Sequence, residues 1–131
     1  MIAALLALLL MQAPAETAQA SPLAAGARLY VQPCDRTGVC EEVTAALKDW
    51  GRWIIVETPR DATLFATVKL TGSGAKGTMR LTITETPEGP TLWQGYDEGR
   101  KNPYRKGDAF TRTLAVIMEQ LRTASERWPA R

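Results

Sequence analysis

The sequence predicts an α+β protein: a two-layer sandwich, β-α-β-β-β-α, with a mixed sheet and both helices on one of its faces. Three observations carry this. Apolar residues recur at period 2 over most of the short segments and at period 3.6 over two longer ones. Each helical segment has one apolar stripe, so one covering surface satisfies it. The first helix lies between two strands, and such a crossover makes its strands parallel and right-handed when they share a sheet, whereas hairpin turns make the last three antiparallel.

From Ala27 to Pro33, Leu29 and Val31 share one side and Arg28, Tyr30 and Gln32 the other, which is a strand. A helix is expected from about Val39 to Trp50, on Val39, Val43, Ala46, Leu47 and Trp50, with Thr37 as N-cap, Glu41 and Glu42 near the positive end of the dipole, and Gly51 as a left-handed stop. Trp53 to Val56 is a continuous apolar run that fits a strand covered on both faces. Pro59-Arg60-Asp61 forms a turn. Leu64, Ala66, Val68 and Leu70 then share a face, as do Met79, Leu81 and Ile83. Leu92, Gln94 and Tyr96 alternate with Trp93 and Gly95. Gly72 to Gly77 and Pro87-Glu88-Gly89-Pro90 have hairpin composition. The last helix shows the cleanest period, through Phe110, Leu114, Ile117, Leu121, Ala124 and Trp128, with Asp108 placed to cap it.

Ahead of these elements, Ile2 to Met11 is an apolar run of 10 residues, followed by two A-x-A sites, Ala13-Pro14-Ala15 and Ala18-Gln19-Ala20. The run is too short to cross a bilayer, which needs about 20 apolar residues, and has the length of a secretory h-region. Its start is unusual in having no Lys or Arg. Residues 1–20 are thus expected to be a cleaved signal, with the site near Ala20, and 21–131 one small domain, periplasmic or secreted. Removing Glu16 leaves 16 basic and 13 acidic residues, a net charge of +3. That is too modest to point to nucleic acid. No second run is long enough to span a membrane, and the first cysteine is too distant to accept a lipid.

An isolated cysteine pair in an exported chain reads as a disulfide, Cys34–Cys40. A redox pair is the alternative, with Cys40 in the first turn of a helix, but the spacing is not C-x-x-C. Zinc lacks ligands, since the chain has no His and no further Cys. Neither a metal nor a cofactor is expected.

The same composition removes Ser-His-Asp and Cys-His chemistry. Gly72-Ser73-Gly74-Ala75-Lys76-Gly77 contains G-x-G-x-x-G, but a strand follows it, and phosphate loops need the N-terminus of a helix. A Ser73–Lys76 pair on such a hairpin tip is too loosely held for catalysis. The carboxylates are scattered or adjacent, as in Glu41-Glu42 and Asp97-Glu98. Trp50, Trp53 and Trp128 sit at core positions, leaving Trp93 as the tryptophan with a chance of exposure. The densest charge is Arg100-Lys101-Asn102-Pro103-Tyr104-Arg105-Lys106. Arg100, Lys101, Tyr104, Arg105 and Lys106 are therefore the candidate contacts for an anionic partner such as a lipid headgroup, a cell-wall polymer or an acidic protein face; a solvated loop before a helix is the plainer alternative.

In this order of elements, Trp50 to Glu57, Asp61-Ala62-Thr63-Leu64 and Leu92-Trp93 before a terminal helix resemble a group of small bacterial envelope domains. The group includes the N-terminal domain of the Tol-system propeller protein and the periplasmic part of the curli-secretion subunit. In that group a strand opening with Ala-Asp-(apolar) and a later Leu-Trp recur; here Asp61-Ala62 stands in inverted order. The resemblance implies an envelope module that assembles with other proteins and carries no catalytic residues. The expected function is accordingly a non-catalytic protein-binding or assembly accessory role. The alternative is a small periplasmic enzyme with carboxylate or lysine groups on the open sheet face. A flat polar face favours the first and a concave site with convergent charges the second.

Overall fold

The computed structural model of the protein describes residues 21–72, 75–100 and 109–129. The apolar N-terminal run, the hairpin tip Ser73-Gly74 and the segment 101–108, with the expected cap Asp108, lie outside the described residues. The elements are β1 (Arg28–Val31), α1 (Thr37–Trp50), β2 (Ile54–Ile55), a 3₁₀ turn (Pro59–Asp61), β3 (Leu64–Gly72), β4 (Lys76–Thr84), β5 (Thr91–Arg100) and α2 (Ala109–Ser125). This is the predicted β-α-β-β-β-α order.

The sheet runs β2-β1-β3-β4-β5. The crossover through α1 makes β1 and β2 parallel, as expected, and β1 is parallel to β3 as well. β3, β4 and β5 form an antiparallel meander. Because β1 takes the place between β2 and β3, β2 is pushed to the edge. The Trp53–Val56 run is therefore not a strand covered on both faces: β2 is two residues long and Ile54 is 57% exposed. Trp53 accounts for the apolar character of the run, being buried in the core.

Alternation gives the sheet two unlike faces. Leu29, Leu64, Ala66, Val68, Met79, Leu81 and Ile83 point to one side and are buried. There they join Cys40, Val43 and Leu47 of α1 and Phe110, Leu114, Ile117, Met118 and Leu121 of α2 in one core. Both helices thus cover the same face. α2 comes close to the β4–β5 hairpin because Gly77 and Gly99 stand opposite each other without side chains. A Cβ on Gly77 would lie 2.6 Å from the Phe110 ring, and one on Gly99 would lie 2.8 Å from the Ala109 carbonyl oxygen.

The start of α1 differs from expectation. Arg36, not Thr37, is the N-cap residue, with no side-chain cap; Thr37 is already helical. The Val39 and Cys40 amides bond instead to the Arg36 carbonyl, at 3.0 and 3.1 Å. Glu41 and Glu42 consequently fall beyond the first turn, where the dipole is weak. The end is as predicted: Gly51 has φ +75° and its N–H bonds to the Leu47 carbonyl at 3.3 Å.

Beyond α2, Trp128 packs against Trp53 with the rings stacked 6.0 Å apart, and Trp50 meets Trp53 edge-on at 5.4 Å. Arg52 joins the segments at Leu23 and Pro129 to this cluster. Its guanidinium lies over Trp128 and donates to the carbonyls of Leu23 and Pro129, the latter at 2.8 Å. Burial pulls the Arg52 pKa below its usual value.

Candidate functional site

The tryptophans are taken up by the core. Trp50, Trp53 and Trp128 form the cluster above, and Trp93, whose face was ambiguous, packs partly buried against the core. What remains open is the other side of the sheet. Its side chains come from Phe65, Thr67, Lys69 and Thr71 of β3, Lys76, Thr78, Arg80 and Thr82 of β4, and Gln94, Tyr96, Glu98 and Arg100 of β5. Phe65 is buried at the β1 side, edge-on to Tyr30 at 6.3 Å; most of the rest is polar and at least partly exposed.

Register sets the order of the polar groups. Lys69 stands opposite Arg80, Lys76 opposite Arg100, and Arg80 opposite Tyr96. The Arg80 guanidinium lies 5.4 Å from the centre of the Tyr96 ring, and the Tyr96 hydroxyl donates to Glu98 Oε1 at 2.8 Å. The bond to Glu98, with smaller contributions from desolvation and the Glu98 charge, raises the Tyr96 pKa. Gln32 Nε2 donates to the Thr67 hydroxyl at 2.8 Å, and the Thr71 and Thr78 hydroxyls bond to each other. At one end Thr67, Lys69, Arg80, Thr82, Gln94 and Glu88 line a cleft of 300 Å³.

The β5 edge is also organised. Gln120 of α2 accepts from the Tyr96 amide at 3.2 Å and donates to the Tyr96 carbonyl at 3.1 Å, as a neighbouring strand would. Arg112 donates to the Arg100 carbonyl at 2.8 Å. These bonds occupy edge groups that otherwise invite another strand.

Cys34 and Cys40 form a disulfide with Cα atoms 6.4 Å apart, closing the loop before α1. A second depression of 350 Å³ borders it, lined by Val31, Pro33, Thr44, Lys48 and others. Arg100 ends β5, exposed, on the open side of the sheet. Lys101, Tyr104, Arg105 and Lys106 lie outside the described residues. Among the described residues no group of three His, Cys, Asp or Glu side chains is placed to hold a metal ion, and no helix is long and apolar enough to cross a membrane.

The sequence reading did not single out Lys69 and Arg80. A signal was present: with Gly72 and Gly77 flanking the hairpin tip, Lys69 and Arg80 are each three residues from a glycine and so face each other. That inference needs the hairpin register, which composition alone does not supply.

No family model matches the chain, and no curated protein matches it. Among solved structures, the chain is similar to a PelC dodecamer from Paraburkholderia phytofirmans, with 16% identity over 79% of this chain and 92% of that chain and a TM-score of 0.53. It is also similar to the LpoB C-terminal domain from Salmonella enterica (15% identity, 66% of this chain, 91% of that chain, TM-score 0.48). A third is lipoprotein GNA1162 from Neisseria meningitidis (10% identity, 74% of this chain, 99% of that chain, TM-score 0.49). At 16% identity the likeness to PelC is one of fold.

Proposed function

We propose that the protein is an exported bacterial envelope protein, with residues 1–20 as its signal and 21–131 as its working domain, that acts as a non-catalytic binding or assembly accessory module. One observation carries this reading: among the described residues nothing packs over one face of the sheet, and that face is largely polar and cationic, with Arg100, the first residue of the basic stretch of the sequence, at its β5 end. The fold shared with PelC, found there in a dodecamer, and the resemblance to assembly domains agree with such a role. The partner meets Arg100, Lys101, Tyr104, Arg105 and Lys106 together with the adjoining end of β5, where Arg100 and Lys76 already stand side by side.

The test is a crosslinking pull-down from the native envelope. Arg100, Lys101, Arg105 and Lys106 are replaced together by Ser. The Arg100 contact with Arg112 uses the main chain and survives replacement of the Arg100 side chain. The expected outcome is unchanged thermal stability with weaker, less salt-sensitive capture of the partner. Full capture by the quadruple variant removes this segment from the interface.

A further inference from the structure

Resting on the reading of the protein as a binding module, we infer that its open sheet face binds an acidic polysaccharide, laid across β3, β4 and β5 and held by the cross-strand cation pairs Lys69–Arg80 and Lys76–Arg100. Like charges set directly opposite each other weaken a strand pair, and this protein does so twice on one face. Among the described residues, no carboxylate lies within ion-pair distance of these four side chains. Glu98, the acid nearest by position on β5, is turned to the Tyr96 hydroxyl. No described acid therefore neutralises these four cations, and an anionic ligand would.

The arrangement specifies more than a negative charge. Lys76 and Arg80 are four residues apart on β4, about 13 Å at the usual strand rise, so one small anion cannot meet both pairs and an extended polyanion can. Arg80 is oriented by the Tyr96 ring beneath it. A guanidinium held over a ring face presents a planar two-pronged edge suited to carboxylate. Around it, Thr67, Thr82 and Gln94 line the 300 Å³ cleft with hydroxyl and amide groups, alongside one carboxylate, Glu88. Those groups match sugar hydroxyls.

A protein partner fits less well. Protein interfaces concentrate apolar and aromatic side chains in a dry centre. Of the large exposed hydrophobic residues Ile54, Tyr96 and Val116, Tyr96 alone stands among these cations. An aromatic ring among hydroxyls, an amide and cations that outnumber its one acid, Glu98, suits an acidic glycan.

Polygalacturonate is the probe, titrated calorimetrically into the full chain, with neutral dextran and poly-L-glutamate as comparators. Polygalacturonate is expected to bind with an affinity that falls as salt rises, while dextran does not bind and poly-L-glutamate binds at least about tenfold more weakly. The double variant Lys69→Gln, Arg80→Gln is expected to lose about tenfold or more in affinity, the scale of one lost charged hydrogen bond, with its unfolding midpoint no lower, and slightly raised because the opposed like charges are gone. Absence of polygalacturonate binding, or equal binding by the double variant, overturns the inference. Equal binding of poly-L-glutamate also overturns it and points to an acidic protein surface. The envelope pull-down separates this claim from its premise: capture of a protein partner without glycan binding sinks the glycan alone, and failure of both sinks both.

Discussion

The two faces of the sheet share the same backbone and have opposite chemistries. Along β4, Met79, Leu81 and Ile83 are fully buried beneath the helices, while Thr78, Arg80 and Thr82 between them point to the open side. The covered face holds the molecule together, and its residue types follow from burial alone. Burial does not dictate most of the open face, so its Lys, Arg, Tyr and Gln residues are free to serve the binding role proposed above. A substitution should therefore read differently one residue apart.

The largest expected effect tests that contrast directly. Leu81→Ala removes a fully buried side chain between the β-sheet and the helices and should lower stability by about 2–5 kcal/mol. Thr82→Ala, on the next residue and the opposite face, should change stability by no more than about 0.5 kcal/mol. Urea denaturation of both variants checks this. Comparable losses would mean that the open face is structurally committed, for example by covering in an oligomer.

A smaller effect is expected at the loop that leads from the sheet to the covered side. Replacing Cys34 and Cys40 together with Ser frees a short loop and should cost about 2 kcal/mol in the chain-entropy account. Cys40 is buried against the core and Cys34 is partly exposed, so the loss should fall on the docking of the α1 start and leave the β3–β5 meander intact. Hydrogen exchange resolves the two regions. Faster exchange in β4 equal to that in α1 would contradict this division.

What was legible in the sequence follows the same boundary. The period of α2 stood out because Phe110, Leu114, Ile117 and Leu121 are all buried on one stripe. The inner faces of β3 and β4 were legible for the same reason. β5 was not, because its covered face carries Gly95, Asp97 and Gly99 beside Trp93, and a glycine contributes no period. α2 lies against these positions, so the helix's approach replaces the side chains that would have marked the phase. The edge position of β2 depends on β1 pairing with β3 as well, a long-range choice. The Gln120 clasp on Tyr96 joins residues 24 apart in sequence. Of the candidate site, the disulfide and the basic stretch from Arg100 could be read directly, whereas the paired cations emerge only when β3 is laid against β4.

Asp97 is the exception to the contrast, a carboxylate on the covered face between Gly95 and Gly99, and it supplies the smallest expected effect. Burial raises its pKa above the ordinary aspartate value; Glu98 adds to the rise through its charge, while the Glu98 backbone hydrogen bond and Arg112 of α2 oppose it. A carboxyl whose pKa is raised on folding contributes stability that is fully present below the unfolded-state pKa, near 3.8, and lost as pH rises through the folded value. At pH 7 the charged side chain therefore weighs against the fold. Asp97→Asn should then be slightly more stable than the natural protein at pH 7, by no more than about 0.5 kcal/mol because water screens a carboxyl that is only half-buried. The advantage should shrink to nothing near pH 3, where both side chains are neutral. Denaturation midpoints at the two pH values decide it. A variant less stable than the natural protein at pH 7 would show that attraction to Arg112 outweighs desolvation, and that even this acid serves the covered face.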